Sequence, residues 1–122
     1  MKRMVEAPQR LELFQGTLDL LILRTLRWGS MHGYGIVKFI EQSSQEAFHV
    51  DHGSLYPALQ RLQQEGWISA EWGTSTTKRR AKFYRLTAAG RRQLAVEQSR
   101  WKRFTAAVAY VLQPRQAAAE EE

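Results

Sequence analysis

The chain has 122 residues and a formal net charge of +6, from 18 Lys and Arg against 12 Asp and Glu. A chain of this length is expected to form one small domain, possibly extended by a dimerisation element. The absence of cysteine excludes disulfides and thiolate metal sites. The sequence shows no apolar run of membrane-spanning length and no secretory leader, so we expect a cytoplasmic protein without membrane contact.

The N-terminal part predicts an arm followed by a strongly apolar helix. Residues 1–15 are expected to form an arm or short helix, and the next helix is predicted from Thr17 to Trp28. One side of this helix carries an ordinary core stripe, whereas Leu20 and Leu23 point another way. Because a monomer would leave these two leucines in water, we predict that they contact a second subunit, the alternative being a partly exposed apolar face.

The second helix is predicted to begin at Gly33 and to run to about Ser44. A loop then leads to Asp51, which suits the N-cap position of a third helix. His49 and His52 flank Asp51, but they straddle the junction between loop and helix, and no further ligand cluster supports them. We therefore predict no metal site.

The third helix is predicted within residues 53–68 and stops at Gly66, which supplies a left-handed residue. Leu55, Leu59 and Leu62 follow helical spacing and predict a buried face. The opposite face is predicted to carry small or hydrogen-bonding groups: Ser54, Ala58, Gln60, Arg61 and Gln64. A short helix with such an outward face suits insertion into the major groove of DNA.

A two-stranded ribbon with a basic tip is predicted directly after this helix. Residues 67–72 alternate apolar and polar side chains, residues 73–77 favour a turn, residues 78–82 are basic, and residues 83–86 can return as a strand. From residue 72 to residue 96 the chain has no acidic residue but seven Lys or Arg. A solvated charged face is the alternative, but the position beside the third helix favours nucleic acid and a winged helix-turn-helix.

The last helix is predicted from Ala88 to about Leu112, with Thr87 as its N-cap. Heptad-spaced residues predict a seam between two copies of this helix, although packing on the winged domain alone is an alternative. The seam residues are Leu94, Trp101 and Val108 at one position and Phe104 and Val111 at the other, with Glu97 as an imperfection. Residues 113–122 are predicted to be a disordered tail.

Four stretches in order, residues 16–23, 32–36, 53–68 and 82–90, resemble PadR-family transcriptional regulators of the short class, which have a single C-terminal helix. The resemblance implies a homodimeric, DNA-binding bacterial regulator, usually a repressor. The predicted fold is therefore mainly α with a small two-stranded β-wing. Its parts are a winged helix-turn-helix domain over residues 16–87 and a C-terminal dimerisation helix over residues 88–112.

The predicted DNA contacts divide between bases and phosphates. Ser54 and Arg61, then Gln60 and Gln64, are expected to contact bases, because guanidinium suits guanine and a Gln amide suits adenine. Phosphate or minor-groove contacts are expected from the wing residues Lys78, Arg79, Arg80 and Lys82. Tyr34 and Tyr56 each lie near a helix N-terminus and could contact phosphate or fill the core. For Tyr56 both interpretations stay open, whereas the resemblance favours phosphate contact for Tyr34.

No catalytic triad, paired carboxylates or phosphate-binding loop is visible, so we predict neither enzyme activity nor a cofactor. Trp101 falls at the centre of the predicted seam, where two copies could pack or could clamp a flat aromatic effector together with Phe104. Short PadR-family members bind such compounds at the dimer centre. A protein-interaction module that uses the winged domain without DNA is the alternative function.

Overall fold

The computed structural model describes residues 14–114, so most of the predicted arm and tail lies outside the described residues. Within that range the elements are α1 (Gln15–Leu26), β1 (Met31–His32), α2 (Gly33–Ser43), α3 (His52–Gln64), β2 (Ile68–Thr74), β3 (Arg80–Leu86) and α4 (Ala88–Leu112). The predicted fold class, mainly α with a small β-wing and a long C-terminal helix, is confirmed. No helix of the described part combines the length and apolar character needed to cross a membrane.

The wing belongs to a three-stranded antiparallel sheet in the order β1-β3-β2. β2 and β3 pair in register from Ile68 opposite Leu86 to Thr74 opposite Arg80. β1 adds two residues to the other edge of β3, with Met31 opposite Tyr84. The sequence did not predict β1, because two residues are too few to show an alternating pattern.

The core forms where α1 packs against α2, α3 and α4. Ile22 of α1 and Leu55 of α3 are both 0% exposed, and the leucine stripe predicted for α3 is confirmed as buried. The outward position predicted for Leu23 is wrong, because its side chain is only 1% exposed within its own subunit. α1 is covered on several sides, so it buries more than one face. Leu20 is half-buried and packs against the same core.

Two predicted N-caps are confirmed, and each fixes the start of a functional helix. The Asp51 carboxylate accepts a hydrogen bond from the Ser54 backbone N–H at 2.8 Å, which begins α3. The Thr87 hydroxyl accepts from the Gly90 N–H at 3.0 Å and donates to the Gly66 carbonyl at 2.7 Å. The start of α4 is therefore tied to the turn that ends α3, where Gly66 has a φ of 79°.

Close packing reinforces this junction. A Cβ added at Gly90 would collide with the carbonyl oxygen of Trp67, which is backbone and cannot swing away. Leu94, one turn further along α4, is 1% exposed and belongs to the core of its own subunit. Its predicted place in an intersubunit seam is therefore wrong. Beyond residue 98 every described residue of α4 is exposed.

Candidate nucleic-acid interface

A broad cavity of about 1210 Å³ opens between the start of α2, the start of α3 and the wing. Its lining brings together five residues that the sequence assigned to DNA contact: Tyr34, Tyr56, Arg79, Arg80 and Lys82. No acidic side chain lines it. A cleft walled by cations and phenols, without a carboxylate, offers a positive potential and hydrogen-bond donors to phosphate.

A second cavity of about 510 Å³ adjoins the first and is lined by Gln60, Gln63, Gln64 and Lys82. The two cavities share Tyr56, Lys82 and Tyr84, so the outward face of α3 and the wing form one continuous surface. Gln63 was missing from the predicted contacts. Its neighbours Gln60 and Gln64 were predicted, and the run of three glutamines within five residues was the available indication.

The outward face of α3 differs from the prediction at two positions. Ser54, Gln60 and Gln64 are exposed as expected. Ala58 is 0% exposed and belongs to the core, because a small residue lets α3 lie close to its neighbours. Arg61 is also turned away from the predicted face, since its guanidinium donates a hydrogen bond to Asp19 of α1 at 2.8 Å.

The Asp19–Arg61 ion pair is partly withdrawn from water, with side chains 24% and 35% exposed. Burial raises the pKa of Asp19 above its ordinary value, and the hydrogen bond and charge of Arg61 offset only part of this effect. The charge of Glu97 on α4 raises the pKa further. The Arg61 guanidinium therefore joins α3 to α1, while Asp19 lies within electrostatic reach of Glu97 on α4.

Tyr34 and Tyr56 both present their rings to the cleft and do not fill the core. Tyr34 is 61% exposed at the start of α2, with the Lys38 ammonium 5.9 Å from its ring centroid. Tyr56 is 47% exposed and stacks on His52 at 5.8 Å. Its hydroxyl would lie 2.8 Å from a Cβ added at Gly33, so a larger residue there would displace the Tyr56 ring.

Tyr84 closes the floor of the interface behind Tyr56 and is 5% exposed. Burial raises the pKa of the Tyr84 phenol, and the neighbouring Tyr56 adds to the shift. The phenol consequently stays neutral well above physiological pH. It adds no negative charge to a surface that is lined by cations, amides, hydroxyls and aromatic rings.

The wing tip is an ordered turn. The Ser75 N–H donates to the Arg79 carbonyl at 2.8 Å, and the Lys78 N–H donates to the Ser75 carbonyl at 2.9 Å. Lys78 has a φ of 64°, a left-handed conformation that the turn imposes, and its side chain is exposed. The Arg80 guanidinium lies 5.0 Å from the ring centroid of Trp72, which restricts the guanidinium beside the cleft.

The histidines have local partners. His32 is the N-cap of α2 and accepts a hydrogen bond from the Gly35 N–H at 3.0 Å. His49 lies 3.3 Å from a carboxylate oxygen of Glu41, and His52 stacks on Tyr56. Among residues 14–114, no group of three or more potential metal ligands occurs.

The model of the transcriptional regulator PadR-like family matches residues 22–96. This match spans more than half of the chain, from the middle of α1 through the wing to the first turns of α4. The chain belongs to the PadR-like family. Its members are DNA-binding transcriptional regulators, not enzymes.

Solved structures of transcriptional regulators share the fold of this chain over most of their length. A transcriptional regulator from Clostridium thermocellum is 27% identical with a TM-score of 0.74, over 81% of this chain and 96% of that chain. A PadR-family transcriptional regulator from Eggerthella lenta is 30% identical with a TM-score of 0.71, over 83% and 86% respectively.

The negative transcriptional regulator PadR of Bacillus subtilis is 32% identical over 77 residues. The alignment covers 63% of this chain but only 42% of the Bacillus protein, which therefore has a large part without a counterpart here. In this PadR-family chain, the family match ends at residue 96, where α4 leaves the winged domain. The distal part of α4, like the first turns of α1, therefore lies outside the family match.

That distal part exposes large apolar side chains. Trp101 and Phe104 are 42% and 60% exposed, and their rings stack at 5.8 Å between centroids. Val108 and Val111, at 39% and 79% exposure, continue the same side of the helix. Four predicted seam residues are therefore uncovered in the single chain, unlike Leu94.

Proposed function

We propose that this PadR-family chain is a homodimeric repressor that binds an inverted-repeat operator in double-stranded DNA, in the bacterial cytoplasm. Two copies of α3 would enter successive major grooves about 34–36 Å apart. The wings would contact phosphates or the adjacent minor groove. A repressor role is supported by the likeness to the Bacillus subtilis protein, which is named a negative transcriptional regulator.

One observation carries the proposal: the glutamine face of α3 and the cations of the wing line adjoining cavities that contain no carboxylate. Amide side chains on a helix are suited to base edges in a major groove, whereas Arg and Lys on a turn are suited to phosphate. The arrangement offers both groups to one DNA duplex at the same time.

We assign base contacts to Ser54, Gln60 and Gln64, to which the structure adds Gln63 as a candidate. We assign phosphate or minor-groove contacts to Tyr34, Tyr56, Lys78, Arg79, Arg80 and Lys82. Arg61 is proposed to orient α3 through Asp19 instead of contacting a base. A guanidinium that already donates to a carboxylate would have to break that hydrogen bond to reach guanine.

A salt titration tests DNA binding by the wing. Bound operator should first be selected from random duplexes, and log affinity should then fall by about 0.9 per neutralised phosphate for each unit of log salt. Replacing Lys78, Arg79 and Arg80 together by Ala should weaken binding to all duplexes and flatten the slope. The matched control replaces Arg92, Lys102 and Arg103 by Ala, which removes the same charge elsewhere on the surface.

Equal slopes for wild type and the wing variant would remove the wing from DNA binding. Failure to select any duplex, together with salt-insensitive capture of a protein partner, would favour the protein-interaction module. Loss of slope in the control variant alone would place the phosphate contacts on α4.

We also propose that α4 mediates the homodimer and that its aromatic pair binds a planar aromatic effector. The stacked Trp101 and Phe104 rings present an apolar surface at the position where a second copy of α4 would meet them. Leu20 stays a proposed contact because it is half-buried, whereas Leu23 is already enclosed. An effector there would shift the angle between the winged domains and thereby change operator affinity.

Titration of planar aromatic dyes tests the effector site. Binding should quench tryptophan fluorescence and should be lost in Trp101→Ala, while the control Trp28→Ala, which removes another exposed indole, should keep it. Undiminished dye binding by Trp101→Ala would exclude this residue from an effector site.

A further inference from the structure

A third concave surface lies on the side of the sheet opposite to the DNA-facing cavities. Along β2 and β3 the cross-strand pair Ala70–Tyr84 alternates with the pair Ser69–Arg85, so the two pairs face opposite sides of the sheet. Tyr84 lines the DNA-facing cavities, whereas Ser69 and Arg85 line a separate cavity of about 600 Å³. The end of α1 and the start of α4 complete its walls.

Arginines from three elements line this rear cleft: Arg27 after α1, Arg85 on β3 and Arg91 on α4. No acidic residue lines it, and none of the ion pairs found within residues 14–114 includes these arginines. Arg85 Nε donates to the Ser69 hydroxyl at 3.3 Å, which leaves its terminal nitrogens available. Glu71 lies on the same face of the sheet and lines an adjoining cavity with Arg85, but no ion pair among the described residues joins them. The rear cleft itself therefore concentrates positive charge without an acidic residue in its lining.

The remaining lining suits a small organic molecule. Leu26, Leu86 and Ala88 contribute apolar surface, and Ser30 and Ser69 contribute hydroxyls. A volume of about 600 Å³ lies within the range of pockets for small molecules. The surface thus combines an apolar wall with cationic donors, a combination that suits an amphiphilic anion.

We propose that the rear cleft binds a small organic phosphomonoester. A phosphomonoester carries up to two negative charges and presents three acceptor oxygens in different directions, which matches three guanidiniums arriving from separate elements. The apolar wall would receive the organic body of the ligand. DNA backbone fits less well, because the cleft is concave, partly apolar and faces away from α3. This proposal does not depend on operator binding or on the aromatic pair of α4.

Phenyl phosphate is a suitable probe because it unites a phosphomonoester with a compact apolar ring. Calorimetric titration of the full chain should give a dissociation constant of about 0.1–1 mM, as expected for a ligand of this size. Inorganic phosphate, which lacks the ring, and phenol, which lacks the charge, should each bind about tenfold more weakly. Amide NMR shifts on phenyl phosphate addition should be largest around Gly29, Ser30 and Ala88, and small at Gln60.

Charge-neutralising variants then test the guanidiniums. Arg85→Gln and Arg91→Gln should each weaken phenyl phosphate binding about tenfold, because each removes a charge-assisted hydrogen bond. The matched control Arg92→Gln removes the same charge from the adjacent residue of α4, which does not line the cleft, and should change binding less than about twofold. All three side chains are exposed, and unchanged thermal unfolding would verify that the variants fold.

Three results would overturn the proposal. The first is absence of phenyl phosphate binding at about 10 mM, and the second is equal weakening by Arg92→Gln, which would indicate only a general charge effect. The third is weaker operator binding with a flattened salt slope in Arg85→Gln and Arg91→Gln while phenyl phosphate leaves the protein unaffected. That third result would assign the cleft to DNA, and it would leave the proposed operator binding intact.

Discussion

α3 and the distal part of α4 differ in how far their apolar side chains are buried. α3 buries Leu55, Leu59 and Leu62 to 1% exposure or less inside its own subunit and turns amides outward. The distal part of α4 leaves Trp101 and Phe104 in contact with solvent. Both helices carry a regular apolar stripe in sequence, so periodicity alone does not tell which stripe a chain will cover by itself.

The difference indicates two kinds of partner. A helix whose apolar face is satisfied internally offers only hydrogen bonds and weak dipoles outward, which suits a polar, hydrated duplex. A helix that extends beyond its domain with aromatic rings exposed gains most from an apolar partner, such as a second copy of itself. Under the proposed function, DNA contact and assembly would thereby use separate parts of one chain.

The strongest test of this contrast is a charge placed in the exposed stripe of α4. Phe104→Glu should convert a dimer to monomers and raise the dimer dissociation constant about a hundredfold or more, because two buried carboxylates would face each other. Light scattering coupled to size-exclusion chromatography over a concentration series measures the change. A truncation before residue 91 is less informative, because it also removes Leu94 from the core.

Ala106→Glu is the matched control, since residue 106 lies about 200° around the helix from residue 104. It should leave the dimer intact. A folded, monomeric Phe104→Glu protein that still binds an inverted repeat tightly would refute the dimer model.

The next largest effect is expected on stability, at Gly90 in the first turn of α4, which packs against the Trp67 backbone after α3. Gly90→Ala should lower the free energy of unfolding by about 3 kcal/mol, because its Cβ would meet the Trp67 backbone carbonyl and force α4 outward. Gly16→Ala is the control in α1, where an added Cβ has no neighbour within 4 Å, and should be neutral or slightly stabilising. Urea unfolding of both variants checks the difference. Equal stabilities would show that close packing at residue 90 does not hold the start of α4 in place.

A smaller and more selective effect is expected on the outward face of α3. Gln60→Ala should cost about 1–3 kcal/mol of binding at the selected operator and little on unrelated DNA, because it would remove a base contact. Competition binding with operator and random duplexes measures that ratio. Ala substitution at Glu65, the exposed residue after α3 that lines neither cavity, is the control. Equal loss on both kinds of DNA would assign Gln60 to a phosphate contact.

The smallest effect concerns Asp19, which receives Arg61 from α3 and lies near Glu97 of α4. Its raised pKa means that folding favours the protonated carboxyl, so its stabilising contribution is complete below the ordinary value of 3.8 and declines as pH rises through the raised pKa. Wild type should therefore lose stability relative to Asp19→Asn between about pH 3.5 and pH 7. Unfolding free energies of both proteins across this range measure the trend. A relative gain by wild type would show that Arg61 dominates and lowers the pKa.

Sequence pattern predicted the local features of this fold well. The caps at Asp51 and Thr87, the stop at Gly66 and the stripe of α3 depend on residues close in the chain, and all are confirmed. The basic tip and the exposed glutamines were also predicted. The glutamines could be placed because polar residues of an amphipathic helix lie opposite its buried face.

The incorrect predictions concern residues whose surroundings depend on segments that are distant in sequence. Arg61 is 42 positions from Asp19 in sequence, and no local spacing reveals their ion pair. Leu23 and Leu94 carry ordinary apolar spacing, but only the packing of α1 among three other helices shows that their own subunit covers them. Heptad spacing identifies a stripe and leaves open which residues along it remain available to a partner.

The Thr87 hydroxyl bonds both the Gly66 carbonyl and the Gly90 N–H, so the start of α4 is fixed at the turn that ends α3. A helix of 25 residues is about 38 Å long, so a tilt of one degree at Thr87 moves its far end by about 0.7 Å. Conversely, a displacement of a few ångströms between the far ends of two such helices requires a rotation of only a few degrees at Thr87. In the proposed dimer, the spacing of the two copies of α3 would therefore change with the arrangement of the far ends of the two α4 helices.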